Sequence, residues 1–136
     1  AGRWGVRPAE AAEQAADLVA VLRVDREKLV AIPDLLVAEQ WEKVRTILKQ
    51  PPVAYLWNLG ESKNTIKKLG QTTGDPDILD LMEEVSSALQ LCDQFTYDNS
   101  FSKFQPGDGK VRIKEPTEQA KVAMAKLDKI IEISGV

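Results

Sequence analysis

Histidine is missing from this chain of 136 residues, and with it the commonest general base, the commonest metal ligand and the usual pH switch. Cysteine occurs once, as Cys92, so an intrachain disulfide and any multi-thiolate zinc or iron–sulfur site are excluded. Aromatic residues are sparse at 6%. No run approaches the ~18 consecutive apolar residues of a membrane-spanning helix, so no transmembrane segment is expected. No strong excess of positive charge exists either. The 18 basic and 21 acidic residues leave a net charge of -3, which argues against a nucleic-acid partner. The start, Ala1 to Pro8, lacks the shape of a signal peptide. Ala1 in place of Met fits either a trimmed chain or one matured by removal of a transit peptide.

What is present is helical periodicity. Hydrophobic residues at 43% suit one soluble globular domain, expected at 9–136 behind a flexible arm at 1–8. Pro8 suits a first helical position, and Ala12, Ala15, Val19 and Leu22 form a stripe. Arg26 falls in phase with that stripe, either snorkelling at its edge or marking a bend. Pro33 is expected to end this helix. Asp34 can cap a second, whose stripe is Val37, Trp41, Val44 and Leu48. Pro51 and Pro52 should break or kink it, yet Tyr55, Leu59, Ile66 and Leu69 keep the 3–4 spacing. The expectation is one long helix over 34–69, kinked near Gln50 and stopped by Gly70, with two separate helices as the alternative. Lys67 and Lys68 then complement the dipole at its end.

Asp75-Pro76 reads as a cap and first turn. The third stripe is Ile78, Met82, Val85, Leu89 and Cys92, widened by Leu81 and Phe95, and it runs to about Tyr97. Cys92 on that stripe reads as a buried, inert thiol. Residues 99–115 differ: Gln105-Pro106-Gly107-Asp108-Gly109 is a turn signal, and Val111 and Ile113 alternate with Arg112 and Lys114. A short β-ribbon-like excursion between the third and fourth helices is expected there. Pro116 opens the last helix, with Ala120, Met124, Leu127 and Ile131 facing inward and Gly135 past its end. The fold class is therefore all-α, an up-down-up-down four-helix bundle with a kinked second helix.

Catalytic constellations are not evident. Asp75, Asp77 and Asp80 begin like a calcium loop, but the sixth-position glycine and twelfth-position glutamate are missing. A di-metal bundle site would need Glu-x-x-His pairs. No metal, cofactor or catalytic residue is assigned, and the chain is expected not to be an enzyme. Charge layout says more. Residues 75–98 carry seven acidic groups and no basic one, whereas 100–114 carry four basic groups and one acidic. These patches can attract one another within the chain, or they can form a docking surface, since complementary charge steers association and fixes register. The candidate partner-binding residues are Arg3, Trp4 and Arg7 of the arm, then Lys63, Lys67 and Lys68, then Lys103, Phe104, Lys110, Arg112 and Lys114.

The order Pro33, Trp41-Glu42-Lys43-Val44-Arg45, Tyr55-Leu56, an acid-rich third helix and a closing Glu118-Gln119-Ala120…Leu127…Ile130 helix resembles the PsbQ-like four-helix-bundle proteins of the thylakoid lumen. The similarity of pattern spans roughly 9–136. The proline pair, the long 99–115 excursion and the short N-terminal extension set the chain beside the oxygen-evolving subunit, as a lumen paralogue. That resemblance implies a non-enzymatic, monomeric accessory protein of the chloroplast thylakoid lumen. It would dock on lumenal subunits of photosystem II and support assembly, stability or repair under high light. Arg3, Trp4 and Arg7 correspond by position to the family's docking region. The alternative is a generic helical adaptor acting outside photosynthesis.

Overall fold

The structure is a computed structural model that describes residues 8–101 and 111–136. It is all-helical, with no strand among the described residues. In chain order the helices are α1 (Pro8–Leu29), α2 (Ile32–Val37), α3 (Trp41–Lys49), α4 (Thr65–Thr73), α5 (Pro76–Ser100) and α6 (Lys114–Ser134). Short 3-10 turns occupy Val53–Leu56 and Glu61–Lys63.

Helix α1 buries Ala15, Val19, Leu22, Asp25 and Leu29, while Ala12 is exposed. Arg26 lies beside this stripe and reaches out to α6, where Nε and Nη2 donate to the two carboxylate oxygens of Asp128 at 3.1 and 3.3 Å. Pro33 does not end α1. The helix stops at Leu29, and Pro33 sits in the first turn of α2, where its missing N–H has no partner to lose. Asp34 is consequently inside α2 rather than capping it.

The single kinked helix expected over 34–69 does not form. Helix α2 buries Ile32 and Leu36 and leaves Val37 71% exposed. Glu39 then takes a φ of 56°, and α3 restarts with Trp41, Val44 and Leu48 inside. Gln50 is extended, as a residue before proline prefers, and Pro51 and Pro52 cannot donate to a preceding turn. The next buried residues are Val53, Ala54 and Leu56, whereas Tyr55 is half-buried and Leu59 exposed. The expected spacing does not carry across the prolines: Val53, Ala54 and Leu56 enter the core in place of the expected Tyr55 and Leu59, because a short turn and not a continuous helix sets which side chains point inward.

Asn64 organises the restart. Its Oδ1 accepts from the backbone N–H groups of Ile66 and Lys67 at 2.9 and 3.3 Å, and its Nδ2 donates to the Leu56 carbonyl at 3.2 Å. One side chain thus caps α4 and ties it to the turn before. Helix α4 continues through Gly70 and ends at Gly74, whose φ is 72°. Gly70 serves close packing instead: a Cβ there would lie 2.7 Å from Leu79 Cδ2. Lys67 and Lys68 therefore lie in the first turn of α4, not at its negative end.

Asp75 caps α5, accepting from the Asp77 N–H at 2.9 Å. The helix buries Ile78, Met82, Val85, Leu89 and Cys92, and farther on Thr96 and Asn99. Most of the expected ribbon lies outside the described residues. At its base Asn99 replaces strand pairing: Oδ1 accepts from Arg112 N–H and Nδ2 donates to Arg112 C=O, both at 2.7 Å. Helix α6 starts two residues before Pro116 and buries Pro116, Ala120, Ala123, Leu127 and Ile130. Met124 and Ile131, expected inside, are half-buried at the edge of the core.

Helix α1 packs on α4 and α6, and α5 packs on α6, α3 and α4, so contacts close around one core. Twelve of its larger side chains, Leu22 and Ile130 among them, are fully buried. Each contributes about 1.5–3 kcal/mol relative to exposure.

Candidate functional site

Of the residues expected to dock a partner, Arg3, Trp4, Arg7, Lys103, Phe104 and Lys110 lie outside the described residues. The others fall into two groups. Arg112 and Lys114 are exposed at the start of α6 and face carboxylates of their own neighbourhood, Glu115 at 3.8 Å and Glu118 at 3.9 Å. Lys63, Lys67 and Lys68 flank the restart at Asn64. This second group neighbours the part of α5 holding Met82, Glu83 and Ser86, because those residues share a small pocket of about 130 Å³ with Glu61 and Asn64. Asn99, which holds Arg112, is 13 residues beyond Ser86, or about 20 Å along the helix axis. The structure therefore separates the two groups.

Within the second group the lysines differ. Lys67 Nζ pairs with Glu61 Oε2 at 2.9 Å. Lys63 and Lys68 have no ion-pair partner among the described residues, and both line an open groove of about 460 Å³. Its other lining residues are Leu18 and Val21 of α1, Pro52 and Tyr55 of the proline break, and Thr65 at the start of α4. The groove owes its shape to the proline break, since a continuous helix through 50–69 would not present Pro52, Tyr55, Lys63 and Lys68 to the same space. Among the described residues its lining contains no carboxylate.

Among the described residues the acidic helix attracts basic neighbours at two places. Arg45 pairs with Asp93 at 3.0 Å, and Lys126 with Glu84 at 3.5 Å. The basic candidates Lys63, Lys67, Lys68, Arg112 and Lys114 make no ion pair with α5 among the described residues.

Two buried titratable groups complete the inventory. Cys92 is buried on α5, and burial pushes its thiol up to about 12, with Asp93 adding to the effect and Thr96 opposing it. A thiol so protonated at neutral pH is a poor nucleophile. No motif in the sequence singles out Asp25, yet it is fully buried on α1 and neither of its carboxylate oxygens has a hydrogen-bond partner among the described residues. Burial pushes this carboxyl from its ordinary 3.8 up to about 7, and the Lys28 ammonium draws it partway back. The signal was in the sequence: Asp25 follows Leu22 by three and precedes Leu29 by four, so it continues the stripe better than Arg26.

Among the described residues no group of three or more Cys, Asp or Glu side chains converges as a metal site, and no helix is long and apolar enough to cross a membrane. In comparison with known proteins, the chain matches no family model, no curated relative and no solved structure.

Proposed function

We propose that this protein is a non-enzymatic docking protein of the thylakoid lumen that binds lumenal subunits of photosystem II and supports their assembly, stability or repair. On this reading the fold is a four-helix bundle whose second rod is the segmented run 32–73. The observation that carries it is the groove lined by Lys63 and Lys68, with no carboxylate in its lining among the described residues. Such a surface favours an acidic partner over a small substrate, because an open groove does not enclose a small ligand on most sides. The resemblance of the Pro33…Trp41-x-x-Val44-Arg45 stretch to PsbQ-like proteins supplies the compartment and the partner. Arg112 and Lys114 form a second basic patch at the other level of the molecule.

Capture from solubilised thylakoid membranes by the full chain tests this. Photosystem II subunits should be retained, and retention should fall as salt rises, because exposed charges are screened within ~8–10 Å at physiological ionic strength. Recovery of soluble metabolic enzymes without any photosystem II subunit overturns the reading. The groove itself also suits a helical adaptor acting elsewhere, and imaging of the full precursor in plant cells separates the two.

A further inference from the structure

We infer that the groove between α1 and the 52–68 segment receives an extended acidic segment of a partner protein, with carboxylates at Lys63 and Lys68 and an apolar side chain between them on Leu18, Val21 and Tyr55. This deepens the docking reading and rests on it for the partner's identity, though not for the chemistry of the groove.

The argument is one of complementarity. The chain as a whole carries a net charge of -3, so a lining with two lysines and, among the described residues, no carboxylate runs against its average. Lys67 lies next to Lys68 in sequence, yet its charge is engaged by Glu61 at 2.9 Å. Lys63 and Lys68 keep theirs free of any carboxylate among the described residues. Thr65, in the first turn of α4, places the positive end of that helix against the same space. Asn64 already satisfies two of the first-turn N–H groups there, so the helix end contributes field rather than open donors. A partner's carboxylate is favoured by all three features.

The apolar part of the lining sets the second requirement. Leu18, Val21 and Tyr55 are each only half-buried, and burial of their remaining surface is favourable at ~25 cal/mol per Å². A purely acidic strand would leave that surface wet. An acidic segment with an apolar residue among its carboxylates satisfies both. The groove is open to solvent rather than enclosed, which suits a chain segment lying in it.

The test uses the full chain and a fluorescein-labelled peptide of alternating Glu and Leu, with Gln-for-Glu and Ser-for-Leu versions. Fluorescence anisotropy should show binding of the Glu/Leu peptide and weaker binding of both altered peptides. K63E/K68E should weaken binding by about tenfold or more. K121E/K129E, an equal change of charge on the exposed face of α6, should leave it within about twofold. Amide shifts on titration should concentrate at Leu18, Val21, Tyr55 and Thr65. Equal losses from the two double variants, or shifts spread over α6, would overturn the inference, as would binding of the Ser-for-Leu peptide as tight as that of the Glu/Leu peptide. Failure of this inference is separable from failure of the photosystem reading. If K63E/K68E still captures photosystem II subunits as wild type does, the groove is not the contact and docking lies elsewhere. If wild type captures none while the peptide binds as described, the groove stands and the photosystem reading falls.

Discussion

Arg45 on α3 donates from Nε to Asp93 Oδ1 on α5 at 3.0 Å, and the guanidinium carbon lies 4.6 Å from the centre of the Tyr97 ring, one turn beyond Asp93. Tyr97 in turn meets Phe101 edge-on at 4.9 Å. The Trp41–Arg45 stretch thus has a mechanical role here. Trp41 and Val44 fill the core, and Arg45 pins α3 to the acidic helix. Both partners of the ion pair are largely shielded, at 19% and 13% side-chain exposure, so removing one strands the other. R45A should lower stability by about 2 kcal/mol in urea unfolding, and D93A by a similar amount. The double variant should lose less than the sum of the two, and strict additivity would mean that the pair contributes no coupling.

Gly70 bears on the junction between α4 and α5. Alanine normally improves a helix interior by about 1 kcal/mol over glycine. Here the added methyl would lie 2.7 Å from Leu79 Cδ2 and 2.9 Å from its Cγ. Overpacking of this kind costs ~1–3 kcal/mol, so G70A should come out destabilised by about 1 kcal/mol and G70V by more. A stabilised G70A, read as a rise in urea midpoint, would show that Leu79 moves aside freely.

Asn99 closes the base of the 99–115 excursion with one carboxamide, pairing both backbone groups of Arg112. N99A removes two hydrogen bonds from a buried position and should cost about 2 kcal/mol. The local consequence is more diagnostic than the global one. The Arg112 amide should exchange with solvent far faster in N99A, while the amides of α5 near Leu89 keep their protection. Unchanged protection at Arg112 would show that the segment is held by other contacts.

The legibility of this fold in its sequence was uneven, for physical reasons. Long amphipathic helices with strong terminal signals could be read directly. Asp75-Pro76 opens α5 and Gly135 closes α6, because caps depend on a few local groups. The run from Ile32 to Thr73 could not. Periodicity assigns side chains to one face only while a helix continues, and the breaks at Glu39 and at Pro51 and Pro52 reset the phase, so Val37 and Leu59 are exposed while Leu36 and Leu56 are buried. Gly70 had the composition of a helix stop, but packing against Leu79 is a tertiary fact. Of the docking residues, Lys63 and Lys68 share a groove whose lining includes Leu18 and Val21, some 45 residues earlier, and no local pattern encodes that pairing. Asp25 is in phase with its stripe, but a carboxylate inside a stripe conflicts with ordinary burial preference, so phase and composition point opposite ways there.

Asp25 supplies the pH dependence of this fold. Its carboxyl is held at about 7 in the folded protein against an ordinary 3.8, because burial disfavours the charged form. The folded state therefore binds the proton more tightly than the unfolded chain. Between pH ~4 and ~7 the folded state carries more of that proton, so stability falls as pH rises through this window. The contribution is fully present below pH ~4 and is lost above pH ~7, with an upper bound of about 4 kcal/mol. D25L removes the titrating group and matches its shape closely. At pH 8 it should be more stable than wild type by about 2–4 kcal/mol, and the gap should narrow to about 1 kcal/mol at pH 4, where the wild-type carboxyl is protonated but still unpartnered. Urea unfolding at both pH values gives the two gaps. A gap that stays constant from pH 4 to pH 8 would show that Asp25 titrates alike in the folded and unfolded states and that its burial carries no proton linkage.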